Sequence, residues 1–136
     1  MTSMLTATRT ILLAEDNAND VELTLTALRE NKVLNEVVVV RDGAEALDYL
    51  YKREGYKHRS GANPVLVLLD LKMPKVDGIE VLRQVKSDPQ LKTIPVVVLT
   101  SSREEQDLVR TYDLGVNAYV VKPLSFHEFI EAINAA

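Results

Sequence analysis

The chain of 136 residues contains no cysteine. This excludes disulfides and thiolate chemistry and makes a reducing cytoplasm the natural compartment. It also lacks any apolar stretch near the roughly 20 residues of a membrane span, and Arg9, Glu15 and Asp16 bracket the first apolar run closely. Residues 1–8 have neither a basic start nor a sustained apolar segment, so they read as a frayed tail rather than a signal peptide. There is no basic excess. A net charge of -4 argues against a nucleic-acid partner, which favours a basic footprint. Interdomain linkers are missing too. What remains, at 46% hydrophobic and 26% charged, is the composition of one soluble domain over 9–136, with no second, output domain expected.

Five short apolar runs are present, bounded by loop signals. They are Ile11–Ala14, Val37–Val40, Pro64–Leu69, Val96–Leu99 and Ala118–Val121, and each reads as a strand buried on both faces. Segments with helical spacing separate them. Val21, Leu25 and Leu28 follow Asn17 and Asn19, either of which can cap. Asp42 with Glu45, Ser102 with Glu105 and Ser125 with Glu128 are possible capping boxes. Asp77-Gly78 opens a segment that Asp88-Pro89 stops. In the last segment Phe126, Phe129, Ile130 and Ile133 form an apolar face. Five strand–helix units in strict alternation call for a doubly wound parallel α/β sheet with five helices, in the flavodoxin-like order 2-1-3-4-5.

One connection, residues 52–63, is long, polar, basic and without clear period. It reads first as a solvated surface loop and second as a partner contact, since loops of this length are often functional.

The strand ends carry the chemistry. The first run leads into Glu15-Asp16, the third into Asp70, the fourth into Thr100 and the fifth into Lys122. In a parallel sheet these residues gather along one edge. Three acids and one lysine in a partly desolvated site need protons or a cation to balance them. Oxygen ligands without His or Cys favour Mg²⁺ over Zn²⁺, and Mg²⁺ usually keeps waters and phosphate oxygens in its shell. A carboxylate can itself be the nucleophile and form an acyl phosphate. Asp70, after the most apolar run, is the central candidate, with Lys122 and Thr100 placed to clamp phosphoryl oxygens. Singly, each residue is ordinary: an acid after a strand is often a helix cap. Together, after four of five strands, they are hard to ascribe to capping.

The motifs Leu13-Ala14-Glu15-Asp16-Asn17, Leu68-Leu69-Asp70-Leu71-Lys72-Met73-Pro74 with Asp77-Gly78, Val98-Leu99-Thr100-Ser101 and Tyr119-Val120-Val121-Lys122-Pro123 resemble the receiver domains of two-component response regulators. The resemblance implies a single-domain regulator, not a turnover enzyme, in which Asp70 accepts a phosphoryl group from a sensor histidine kinase. It implies Mg²⁺ held by Asp16, Asp70, Glu15 (through water) and the backbone carbonyl of Lys72. It further implies Thr100 and Tyr119 as a switch pair, a cis Lys122-Pro123 bond, and output through the surface of the fourth helix, fifth strand and fifth helix. Glu15 stands where the family more often has Asp, and the Lys72 side chain brings a second cation near the site. The long basic loop and the runs Ser87–Thr100 and Tyr112–Tyr119 look narrower still. They resemble the small regulators of bacterial phytochrome kinases, which implies such a kinase as partner and a homodimer.

Two rival readings remain. A Mg²⁺-dependent phosphohydrolase needs a second acid two residues beyond its nucleophile, where this chain has Lys72. A phosphorylation-independent adaptor of the same fold is expected to have lost part of the acidic site, which is whole here. A nucleotide carrier fits worse, because the turn after the first strand is acidic and lacks phosphate-cradling glycines.

Overall fold

The computed structural model describes residues 10–33, 35–59, 62–73, 75–111, 113–122, 127, 130 and 131. Five parallel strands, β1 (Thr10–Ala14), β2 (Glu36–Val40), β3 (Leu66–Asp70), β4 (Val96–Thr100) and β5 (Ala118–Val121), form one sheet in the order β2-β1-β3-β4-β5. The α-helices described in full are α1 (Ala18–Glu30), α2 (Gly43–Tyr51), α3 (Gly78–Ser87) and α4 (Arg103–Thr111). A fifth helix is represented by His127, Ile130 and Glu131. The Ser125–Glu128 cap, Phe126, Phe129, Ile133, the 1–8 tail and the cis bond at Pro123 lie outside the described residues.

Side chains alternate across the pleat with period two, and this alternation builds two cores. Leu12, Val67, Leu69, Val96 and Val98 pack with Ala46, Leu47, Leu50, Val81, Leu82 and Val85 of α2 and α3. Ile11, Leu13, Leu66, Leu68, Val97 and Leu99 pack with Val21, Ala27 and Leu28 of α1, and Ile130 of the fifth helix joins that side. Every residue of β3 and β4 is buried, as expected of strands covered on both faces. The equally apolar β2 and β5 are largely half-exposed, because the order places them at the edges.

The caps follow the sequence signals. Asn17 accepts from the Asp20 N–H, Asp42 from Glu45, Asp77 from Glu80, and the Ser102 hydroxyl from Glu105. The boxes close one residue early: Glu45 accepts from the Arg41 N–H and Glu105 from the Ser101 N–H.

The 52–63 connection departs from the expectation of a period-free loop. It contains a turn of 3₁₀ helix, Glu54–Tyr56, and is clipped to α2. Tyr56 donates to Glu45 Oε2 at 2.6 Å, and Arg59 Nε donates to the Tyr49 carbonyl at 3.0 Å. The pairings are nonlocal in sequence, so no local period announces them.

Candidate functional site

The strand register sets the site. Ala14 pairs with Leu69, Asp70 with Leu99, and Thr100 with Val121. Glu15, Asp70, Thr100 and Lys122 therefore stand in strand order along the carboxyl edge of β1, β3, β4 and β5, where open α/β sheets bind ligands. Glu15 and Thr100 are fully buried and Asp70 is 5% exposed, whereas Asp16 is exposed.

The acids converge as the sequence predicts. Glu15, Asp16 and Asp70 each offer a carboxylate oxygen, and these atoms all lie within 4.8 Å of one another. Lys122 Nζ ion-pairs with Glu15 Oε1 at 2.7 Å and Asp70 Oδ1 at 3.5 Å. The Glu15 contact is a charge contact outside aligned hydrogen-bond geometry. Asn17 N–H donates to Glu15 Oε2 at 3.2 Å, and Lys72 N–H makes a long contact of 3.4 Å to Asp70 Oδ1.

One charged member was not foreseen. Asp20 Oδ2 accepts from Lys122 Nζ at 2.9 Å. In the sequence it is indistinguishable from an ordinary first-turn acid placed for the helix dipole.

The electrostatics show an unbalanced site. Burial, with the adjacent Asp70 charge, pushes the Glu15 carboxyl up to about 7 against the opposing pull of Lys122. Burial works against the Lys122 charge as well, but the close carboxylates of Glu15 and Asp20 and the charge of Asp70 outweigh it, and its pKa is raised. Three acids, Glu15, Asp20 and Asp70, share one lysine, and Asp16 adds a fourth carboxylate beside Glu15 and Asp70. A divalent cation fits this all-oxygen donor set, which lacks sulfur or imidazole among its described members.

Thr100 adds a second open valence: its Oγ1 is buried without a hydrogen-bond partner. An unsatisfied buried hydroxyl costs about 1–3 kcal/mol. Thr100→Val, which keeps the shape and removes that hydroxyl, is therefore expected to leave stability unchanged or raised in urea titrations. A loss beyond about 1 kcal/mol would reveal a partner for the hydroxyl.

The other switch candidate, Tyr119, lies half-buried on β5 with the Arg110 guanidinium over its ring at 4.9 Å. Burial raises the pKa of its phenol. The Lys72 side chain is mostly exposed and reaches Glu105 Oε2 at 3.5 Å; it turns to the start of α4.

Two glycines hold the β3–α3 loop, and the sequence singled out only one of them. A Cβ on Gly78 would stand 2.5 Å from the Asp70 carbonyl oxygen and 2.6 Å from Leu71 Cα. Gly43, which opens α2, packs so closely on the Val76 backbone that a Cβ there would overlap it. The Gly78 N–H donates to the Leu71 carbonyl at 2.9 Å, and Lys75, at φ 67°, pairs with Asp42 at 3.5 Å. Together these contacts fix the backbone that leaves Asp70.

Comparison with known proteins agrees with this geometry. The response regulator receiver domain family matches residues 11–134. The bacteriophytochrome response regulator AtBRR is 62% identical, covers 94% of this chain and 91% of its own, and superposes with a TM-score of 0.89. The phosphorylated cyanobacterial phytochrome response regulator RcpA is 46% identical over 93% of this chain and 89% of its own, with a TM-score of 0.78. Response regulator Rcp1 of Synechocystis sp. is 38% identical over 125 residues, 92% of this chain and 84% of that protein. Its solved Mn²⁺-bound form gives a TM-score of 0.77. Both the fold and the resemblance to phytochrome-associated regulators therefore hold. The chain belongs to the response regulator receiver domain family.

Proposed function

We propose that the chain is a phosphoacceptor that takes a phosphoryl group from a sensor histidine kinase onto Asp70 in a Mg²⁺-dependent reaction. The observation that carries this reading is the convergence of the Glu15, Asp16 and Asp70 oxygens within 4.8 Å beside Lys122. Glu15, Asp16, Asp70 and the Lys72 carbonyl would hold the cation. When bound, it neutralises the crowded carboxylates and the incoming phosphoryl oxygens. An Asp70 carboxylate oxygen forms the new P–O bond as the donor P–N bond breaks, and the bond pair leaves on the imidazole nitrogen. Lys122 then trades part of its pairing for a phosphoryl oxygen, and the unpartnered Thr100 hydroxyl donates to another. Mn²⁺ in Rcp1 and phosphorylation of RcpA, both relatives over nearly the whole chain, support the metal and the modification.

The signal would leave through the surface of α4, β5 and the fifth helix. Movement of Thr100 toward the phosphoryl group opens space for Tyr119, shifting the population between two arrangements. A bacterial phytochrome is the kinase that the relatives favour, and a homodimer through this face suits a regulator acting by protein contact. The chain reads as a phosphoacceptor rather than a turnover phosphohydrolase, since Lys72, not an acid, stands two residues beyond Asp70. Among the described residues no helix is long and apolar enough to cross a membrane.

Incubation with a small acyl phosphate donor tests the reaction without the kinase. A hydroxylamine-labile phosphoryl adduct is expected with Mg²⁺ and not with excess chelator. Equal labelling with and without chelator would remove the metal from the account, and no labelling under either condition would favour the phosphorylation-independent adaptor.

A further inference from the structure

The connection after α2 is the most concentrated positive feature of an acidic chain. Residues 52–59 hold Lys52, Arg53, Lys57 and Arg59 against the single acid Glu54. That is +3 in a chain of net charge -4, so the remaining residues carry -7. Lys52, Arg53, Lys57 and His58 are exposed. Neither Lys52 nor Lys57 has an ion-pair partner among the described residues, while Arg53 pairs with Asp48 at 3.5 Å.

The lobe has a defined shape. Tyr56 stacks edge-on against Tyr49 with ring centroids 5.2 Å apart, and the Arg59 guanidinium lies 4.3 Å from the Tyr49 centroid. Asn63 Nδ2 ties the far end of the connection to the Gln90 carbonyl at 3.1 Å. Lys52 and Glu54 hold positive φ, 57° and 51°, which side chains with a Cβ rarely adopt. At Lys52 this is the left-handed cap that ends α2, with the Lys52 N–H donating to the Tyr49 carbonyl and the Arg53 N–H to the Asp48 carbonyl. The strands are parallel, so α2 runs back from their carboxyl edge and its C-terminal end, with this lobe, lies toward the opposite end of the sheet from Asp70.

We propose that this lobe is a docking surface for an acidic segment of a partner protein. Its charge has the sign that attracts and orients such a segment, and its clipped backbone is ordered before binding. A nucleic acid fits less well: Tyr49 is buried with Arg59 over its ring, Tyr56 meets it edge-to-face, and Arg53 lies over the Tyr51 ring, so each of these aromatics is already engaged within the lobe. A membrane surface fits less well because the exposed residues of the lobe include no large apolar side chain to insert. The surface is independent of the phosphoacceptor reading.

Titration with a glutamate-rich peptide, followed by backbone amide NMR, tests the proposal. The shifts are expected to centre on residues 52–58 and to weaken with salt. Lys52→Glu/Lys57→Glu is expected to weaken binding at least about tenfold at unchanged melting temperature, since the Tyr56 and Arg59 clips are untouched. Asp70→Asn is expected to bind the peptide as wild type, which separates this surface from the acidic site. Shifts centred outside residues 52–58, or an unchanged affinity in the double variant, would overturn the proposal. So would tighter binding of duplex DNA or of anionic vesicles than of the peptide.

Discussion

Gly78→Ala is expected to destabilise the protein by about 1–3 kcal/mol and to slow phosphoryl uptake at Asp70 at least tenfold. Two effects of opposite sign compete. Alanine at a helical position is worth up to about 1 kcal/mol over glycine through propensity. Against this, the new Cβ would stand 2.5 Å from the Asp70 carbonyl oxygen and 2.6 Å from Leu71 Cα. Both are backbone atoms of a loop already held by the Gly78 N–H to Leu71 bond and by the Lys75–Asp42 pair. The loop must move, and with it the Asp70 backbone, so the steric cost wins. Urea unfolding at constant m-value measures the first part, and the rate of labelling by an acyl phosphate the second. Stability equal to or above wild type would mean that the loop yields freely, and that the close approach does not position Asp70.

The second large effect is a separation of stability from function in Asp70→Asn. The variant is expected to lose phosphoryl labelling altogether, yet in chelator to be more stable than wild type by on the order of 1 kcal/mol. Glu15, Asp20 and Asp70 crowd one lysine with Asp16 beside them, and burial with the Asp70 charge pushes Glu15 up to about 7. Neutralising Asp70 relieves that repulsion and leaves Lys122 its closer contacts to Glu15 and Asp20.

The pH dependence follows from the same shift. A carboxyl raised in the folded state binds its proton more tightly there than in the unfolded chain. Its contribution is fully present below its ordinary value of 4.5 and is lost as pH rises toward about 7. Metal-free wild type is thus expected to lose stability across that window, and Asp70→Asn to lose less. Parallel pH profiles for the two proteins would contradict the coupling.

The sequence carried the site further than it carried the surfaces around it. Apolar runs that end in Glu15-Asp16, Asp70, Thr100 and Lys122 are legible because a parallel sheet has a single carboxyl edge, so register and alternation suffice to bring them together. Caps at Asn17, Asp42, Asp77 and Ser102 are legible because they are local. Asp20 was not, because its role depends on a lysine 102 positions away. Gly43 was not, since its need for a bare Cα comes from Val76 across a loop. The half-exposure of β2 reflects strand order, which leaves no trace in Glu36–Val40 itself. The clipped lobe at 52–59 failed to announce itself for the same reason: its order is imposed by Glu45 and Tyr49 of the preceding helix.

Chemical trapping tests the central claim most directly. Protein labelled by an acyl phosphate in Mg²⁺ is reduced with borohydride, which converts an aspartyl phosphate to homoserine, and the converted position is read by peptide mass spectrometry. Homoserine at position 70, with Glu15 and Asp16 unmodified, is the expected result. A modification at Glu15, Asp16 or His127 with Asp70 intact would contradict the account.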